Sequence, residues 1–166
     1  MIRVDIETII MANGPVPSVV VLRERDSEGT VSAPARSLSI QTGSYEAAAI
    51  SRGIDSGRAS RPITHDLSLG MIDKLGGRIE RVEINRVEAP VFYADVVLMD
   101  SADREVSVDA RPSDAIALAV RANAPIYVED EVMNRVGTIA RQSEEDAEAE
   151  QERFDQFVQT LSPDDF

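Results

Sequence analysis

The 166-residue sequence predicts an α+β domain: a strand-rich core with an antiparallel meander and a few short helices. Three observations carry that expectation. Short apolar runs that alternate with polar residues recur along the chain, which is the pattern of half-buried strands. Three of these runs, between Val82 and Val108, are joined by short connections, as antiparallel neighbours are. Helical spacing appears only in short separate segments between strands.

Taken in order, Ile2, Val4 and Ile6 mark a first strand. Val19-Val20-Val21-Leu22 reads as a second, ended by the turn-rich Asp26-Ser27-Glu28-Gly29. Leu38 and Ile40 mark a third. Ser44 then opens a helix through Tyr45-Glu46-Ala47-Ala48-Ala49-Ile50, closed by Gly53, with a loop over 53–60. Thr64 is placed to cap a second helix whose apolar positions are Leu67, Met71 and Leu75, stopped by Gly76-Gly77. Strands follow at Val82 and Ile84, at Phe92, Ala94, Val96 and Leu98, and at Val106 and Val108. A third helix is expected from about Ser113 to Ala122, a short strand at Ile126 and Val128, and a fourth helix from Asp130 to Ala140 with Met133 and Val136 on its apolar face.

The division falls at residue 140: a domain over 1–140 and a tail over 141–166. Residues 1–140 hold 15 basic and 21 acidic side chains, a net of −6, and the tail holds two basic and nine acidic, a net of −7. The tail starts with Ser143-Glu144-Glu145-Asp146 and spaces Phe154, Phe157, Val158 and Leu161 as an extra amphipathic C-terminal helix would. Docking of that helix on its own body is favoured over its use as a partner-binding segment. The full net charge of −13 argues against a phosphate partner, but 14 of the 15 cations in 1–140 are Arg, a bidentate ligand for phosphate. The chain has no Cys, which excludes a disulfide framework, a thiolate metal site and a cysteine nucleophile. Its longest apolar run, Ala115 to Val120, is six residues, far short of a membrane span. A soluble cytoplasmic protein with no membrane partner is the plain expectation.

Two segments rhyme. Arg61-Pro62-Ile63-Thr64-His65-Asp66 and Arg111-Pro112-Ser113-Asp114 each place Arg-Pro before a hydroxyl residue and an Asp in the first turn of a helix. Read structurally, Thr64 and Ser113 cap exposed N–H groups, Asp66 and Asp114 suit the helix dipole, and each Arg pairs with a carboxylate. Read functionally, a helix N-terminus attracts phosphate and Arg grips it, while a divalent cation, Mg²⁺ or Mn²⁺, relieves the repulsion from the carboxylates. Glu46, Asp66 and Asp114 would ligate that cation, and His65 would serve water or the leaving oxygen. On spacing alone the structural reading is ahead.

These segments resemble the bifunctional nuclease family, a bacterial and plant group described as cutting both DNA and RNA. The resemblance rests on Gly43, Glu46-Ala47 and Ile50, on Arg61-Pro62 and Thr64-His65-Asp66-Leu67, on Phe92-Tyr93-Ala94, on Val108 to Ala119, and on Ala124-Pro125-Ile126. It covers roughly residues 1–140 in order. It implies a strand-rich α+β fold with a projecting flap, a homo-oligomer (a dimer), and a nuclease of broad specificity for DNA and RNA. By position it implies a site of Glu46, His65, Asp66, Asp109, Arg111, Ser113 and Asp114, with His65, Asp66, Asp109 and Asp114 as the catalytic candidates and Arg111 and Ser113, together with Arg61 and Tyr93, as the candidates for substrate contact. Asp95 stands where the family commonly has a basic residue, which removes a phosphate contact. Tyr93 and Tyr45 are the best platforms for a base. The rival reading is a non-catalytic binding or regulatory module, and a third is an enzyme acting on a small phosphate-bearing metabolite.

Overall fold

Alternation along the strands separates an apolar sheet face from a polar one, and everything else follows from covering the first. The computed structural model describes residues 1–13, 15–25, 35–55 and 61–139. The strands are β1 (Ile2–Ile10), β2 (Ser18–Glu24), β3 (Arg36–Thr42), β4 (Arg78–Glu88), β5 (Val91–Met99), β6 (Glu105–Ala110), β7 (Ile126–Val128) and β8 (Thr138–Ile139). The helices are α1 (Ser44–Ile54), α2 (Thr64–Lys74), α3 (Pro112–Ala122) and α4 (Asp130–Val136). The strands form one mixed sheet in the order β6-β5-β4-β7-β1-β2-β3-β8. Neighbours are antiparallel except β4 and β7, which run parallel and are joined through the meander and α3. The α+β class and the meander β4-β5-β6 stand as expected.

Register shows how the faces separate. Val108, Val96, Val82, Ile126 and Val4 lie side by side across five strands, on the apolar face. One residue along, Asp109, Asp95, Glu83, Tyr127 and Arg3 form the matching row on the polar face. Helix α3 covers the apolar face over β4 and β5, burying Ala115, Ile116, Ala117 and Ala119, and α1 packs beside it through Ala47 and Ile50. Burial of Ile50, Ile84 and Ile116, all fully enclosed, contributes about 1.5–3 kcal/mol each. Gly53 lets α1 and α3 close: a Cβ there would meet Val120 Cγ2 at 2.5 Å and Arg121 Nη1 at 2.8 Å.

Several local expectations are corrected. Gly53 lies inside the last turn of α1, which runs on to Ile54, so it packs rather than stops the helix. Helix α4 ends at Val136, because Gly137 turns the chain into β8, which pairs with β3; Val132 joins Met133 as its buried residue. The hydroxyl residues do not cap. The N-cap positions are Gly43, Ile63 and Arg111, none with a side-chain cap, so Ser44, Thr64 and Ser113 each sit inside their helix. Finally, Leu67, Met71 and Leu75 do not mark the buried face of α2: they are 58%, 57% and 78% exposed, and Leu69 and Ile72 pack on the core instead. The Gly76-Gly77 stop holds, with Gly76 at a φ of 78° that favours glycine. The turn expected at 26–29 and the tail helix over 141–166 lie outside the described residues.

Candidate functional site

Three helices begin at one place. Glu46 lies in the first turn of α1, His65 and Asp66 in that of α2, and Asp114 in that of α3, with Arg111 at the α3 N-cap. Arg111 stands between them: its Nε donates to Asp114 Oδ2 at 2.9 Å and its Nη1 to Glu46 Oε1 at 3.3 Å. The other oxygen of Asp114 meets His65 Nε2 at 3.1 Å. Glu46, His65, Arg111 and Asp114 are therefore one cluster, tying the starts of α1, α2 and α3 together. Each helix start carries the positive end of its dipole, which favours the carboxylates of Glu46, Asp66 and Asp114 that stand in those first turns.

The electrostatics of Asp114 decide the roles. Burial opposes its ionisation, yet the hydrogen bonds from Arg111 and His65 outweigh that and hold its carboxyl below the usual range. An ionised carboxylate can only accept, so the proton in the His65–Asp114 hydrogen bond sits on Nε2. In the neutral imidazole that leaves Nδ1 of His65 as an acceptor with no partner among the described residues, on a side chain 14% exposed. Arg111 is 66% exposed, and its Nη2 has no partner among the described residues.

The two rhyming corners differ. Asp66 is not in the cluster. Its Oδ2 accepts from the Ile63 N–H at 3.0 Å, closing the N-terminus of α2, and its Oδ1 accepts from Arg121 Nε at 2.7 Å. The backbone bond first and the Arg121 bond second hold its carboxyl below the ordinary range. Arg121 is only 7% exposed and also donates to Ala117 O at 2.7 Å, so this corner fastens α2 to α3. Sequence reading missed Arg121. Its signal was the spacing: Asp114 and Arg121 are seven apart, two turns along one face of α3, matching the adjacent His65 and Asp66. A cleft of about 540 Å³ lies farther along, between β1 and the C-terminal ends of α1 and α3. Another of about 840 Å³ runs from Asp66 and Arg121 to Arg52 and Arg78.

The remaining candidates are scattered. Asp109 is on the polar sheet face opposite Asp95, exposed, with no ion pair among the described residues. Ser113 is half-buried and caps nothing. Arg61 is exposed and without an ion pair among the described residues. Tyr93 carries Arg86 over its ring at 3.7 Å and donates to Glu88 at 3.3 Å, so one face is covered. Tyr45, one residue before Glu46, is 89% exposed. Among the described residues no three His, Asp or Glu side chains gather where one cation could bind them. Both oxygens of Asp66 and of Asp114 are engaged, so the present arrangement does not fit a cation held by Glu46, Asp66 and Asp114 together.

Helix starts gathered around an Arg–carboxylate–imidazole cluster, on one face of a mixed sheet, define an α+β domain whose three helix N-termini share one polar cluster. The chain belongs to the bifunctional nuclease domain family, whose model matches residues 20–141. It is 39% identical over 154 residues to an uncharacterized protein of Mycobacterium tuberculosis, covering 89% of this chain and 87% of that one. It is also 38% identical over 71 residues to bifunctional nuclease 2 of rice and 35% to bifunctional nuclease 2 of Arabidopsis thaliana. Those plant matches span 42% of this chain and 22% of each relative.

Acid should expose the two carboxylates. Both Asp66 and Asp114 have folded values below the ordinary 3.8, so their contribution is present above that pH. It is lost as pH falls from 3.8 through the folded values. Thermal midpoints from pH 6 downward should therefore drop more steeply below about pH 4 in the wild type than in Asp66→Asn. Parallel curves would show that Asp66 does not carry this linkage.

Proposed function

We propose that the protein hydrolyses phosphodiester bonds in DNA and RNA, with little sequence preference, at the cluster of His65, Asp114, Arg111 and Glu46. The observation that carries this reading is the His65 Nε2–Asp114 Oδ1 contact of 3.1 Å, made on a carboxylate whose other oxygen Arg111 holds. Asp114 fixes the imidazole tautomer, and His65 Nδ1 takes a proton from water as that water attacks phosphorus. The same proton then passes to the leaving oxygen as the P–O bond breaks. Arg111 Nη2, the helix N–H groups and Arg61 receive the phosphate charge. Asp66 acts as a positioning residue, through Ile63 and Arg121, and Asp109, on the polar sheet face opposite Asp95, is given no step. Exposed Tyr45 is the better base platform than Tyr93.

Binding is of the backbone. The few aromatic side chains, and the absence among the described residues of a groove of unpaired cations, favour modest, salt-sensitive affinity. Mg²⁺ or Mn²⁺ remains part of the proposal only as a test arm, since the donors as arranged do not converge and the chemistry above needs none. The rival, a binding module with structural corners, is favoured by one observation: Asp66 is fully engaged in holding α2. The experiment is cleavage of labelled single-stranded DNA and RNA oligonucleotides by protein freed of contaminating nucleases, in chelator and with added Mg²⁺ or Mn²⁺. Cleavage of both polymers in chelator is expected. Strict cation dependence would overturn the proton-transfer scheme, and no cleavage in any arm would overturn the nuclease reading.

A further inference from the structure

The cleft of about 840 Å³ takes no part in the proton transfer. One flank of α2 walls it through Asp66, Gly70 and Asp73, and the last turns of α1 and α3 wall it opposite. Its floor is apolar, with Leu69, Ile79 and Val120. The wall facing α2 is cationic. Arg52, in the last turn of α1, is exposed and makes no ion pair among the described residues. Arg121 commits Nε to Asp66 and Nη1 to the Ala117 carbonyl, and its Nη2 has no partner among the described residues. Asp66 is engaged at both oxygens, so Asp73 is the one uncommitted carboxylate among the described lining residues.

Gly70 lies in the interior of α2, where glycine weakens a helix relative to alanine. Packing does not require it, since a Cβ there would meet nothing within 4 Å. Backbone conformation does not require it either, because Gly70 is not at positive φ. Its effect is to leave that flank of α2 bare, so that another segment can lie close against the helix. An apolar floor, a bare helix flank and walls of opposite charge fit an amphipathic segment with acids along one side.

We propose that this cleft receives the C-terminal segment of the same chain, with Phe154, Phe157, Val158 and Leu161 on its floor. Charge sets the orientation. At helical spacing Glu148 and Asp155 fall on one side of that apolar stripe and Arg153 on the other. The acids then face Arg52 and the open edge of Arg121, and Arg153 faces Asp73. Length agrees as well. Phe154 to Leu161 and Asp66 to Asp73 each cover seven residue steps, about 10.5 Å of helix. The chain leaves the sheet at Ile139 in β8, five strands from β4, or about 24 Å. Residues 140–153 extend to about 46 Å, enough to reach the cleft. Tethering holds the segment there at about millimolar effective concentration. The inference goes beyond the nuclease reading and is read without cleavage.

The chain has no Cys and no Trp, so replacements in the full chain report on the segment alone. Gly70→Cys combined with Phe157→Cys should form a disulfide under mild oxidation, within one chain of 18.1 kDa. Met71→Cys combined with Phe157→Cys should link several-fold more slowly, because Met71 lies about 100° round α2 from Gly70. Adding Arg52→Glu to the first pair should slow its linkage about fivefold, the upper worth of one exposed ion pair. Phe157→Trp should emit to the blue of free indole and resist quenching by acrylamide, and Arg52→Glu should move both toward the free value. Equal linkage from 70 and 71, or linkage only between two chains, which marks a second copy's segment, would overturn the proposal. So would a linkage rate that Arg52→Glu leaves unchanged, or an indole at 157 quenched as readily as free indole.

Discussion

Replacing His65 with Ala is expected to lower cleavage of single-stranded DNA and RNA by about 10²–10⁴-fold, the usual worth of a positioned proton-transfer group. The fold should survive. Asp114 keeps its bond to Arg111, and one lost hydrogen bond of about 1 kcal/mol moves the midpoint by only about 2–4 °C. Asp114→Asn should give a smaller but clear loss, because the amide no longer selects the Nε2–H tautomer and leaves Nδ1 less often free. If His65→Ala cleaves as the wild type does, the chemistry lies elsewhere and the cluster only organises three helix starts.

Arg121→Ala should do the opposite: a large effect on stability, and an effect on activity that follows from it. The change removes a side chain 7% exposed that holds Asp66 at 2.7 Å, caps the Ala117 carbonyl and lies against Gly53. Breaking a fully buried ion pair costs about 3–5 kcal/mol, but Asp66 is 38% exposed and its orphaned charge is screened. About 2 kcal/mol is the expected loss, or roughly 4–8 °C in midpoint. Because α2 buries no residue completely, this pair and the His65–Asp114 contact are its chief polar anchors to α3, with Leu69 and Ile72 beneath. Cleavage measured well below the midpoint should fall less in Arg121→Ala than in His65→Ala. An unchanged midpoint would show that α2 is held by its apolar contacts alone.

Strand periodicity was legible because both sheet faces are real: one row of apolar residues, one row of polar ones, a single residue apart. The class and the meander followed from it, and the helix signals placed all four helix starts within a residue of where they fall. Helix faces were less legible. Leu67, Met71 and Leu75 carry the strongest apolar spacing of α2, yet polar anchors at His65 and Asp66 turn the other face inward. Spacing alone shows amphipathicity, not what a face meets. The caps failed for a related reason: Ser44 and Thr64 directly follow the extended N-cap residues Gly43 and Ile63, and Ser113 follows Pro112, the first residue of α3, so each helix has begun before its hydroxyl residue could cap it. At the site, the rhyme of the two Arg-Pro corners pointed to the right segments but not to their division. Only the fold places Asp114 with His65 and sends Asp66 to Arg121, a residue whose partner lies 55 positions away.

Imidazole rescue asks directly whether His65 moves the proton. Wild-type and His65→Gly proteins, purified side by side, are compared on one labelled oligonucleotide made as DNA and as RNA, with and without added imidazole. The wild type is expected to cut both, His65→Gly to be nearly inactive, and imidazole to restore part of the lost rate to the variant alone. Equal cleavage by the two proteins, or an inactive variant that imidazole leaves inactive, would contradict a proton-transfer role for His65.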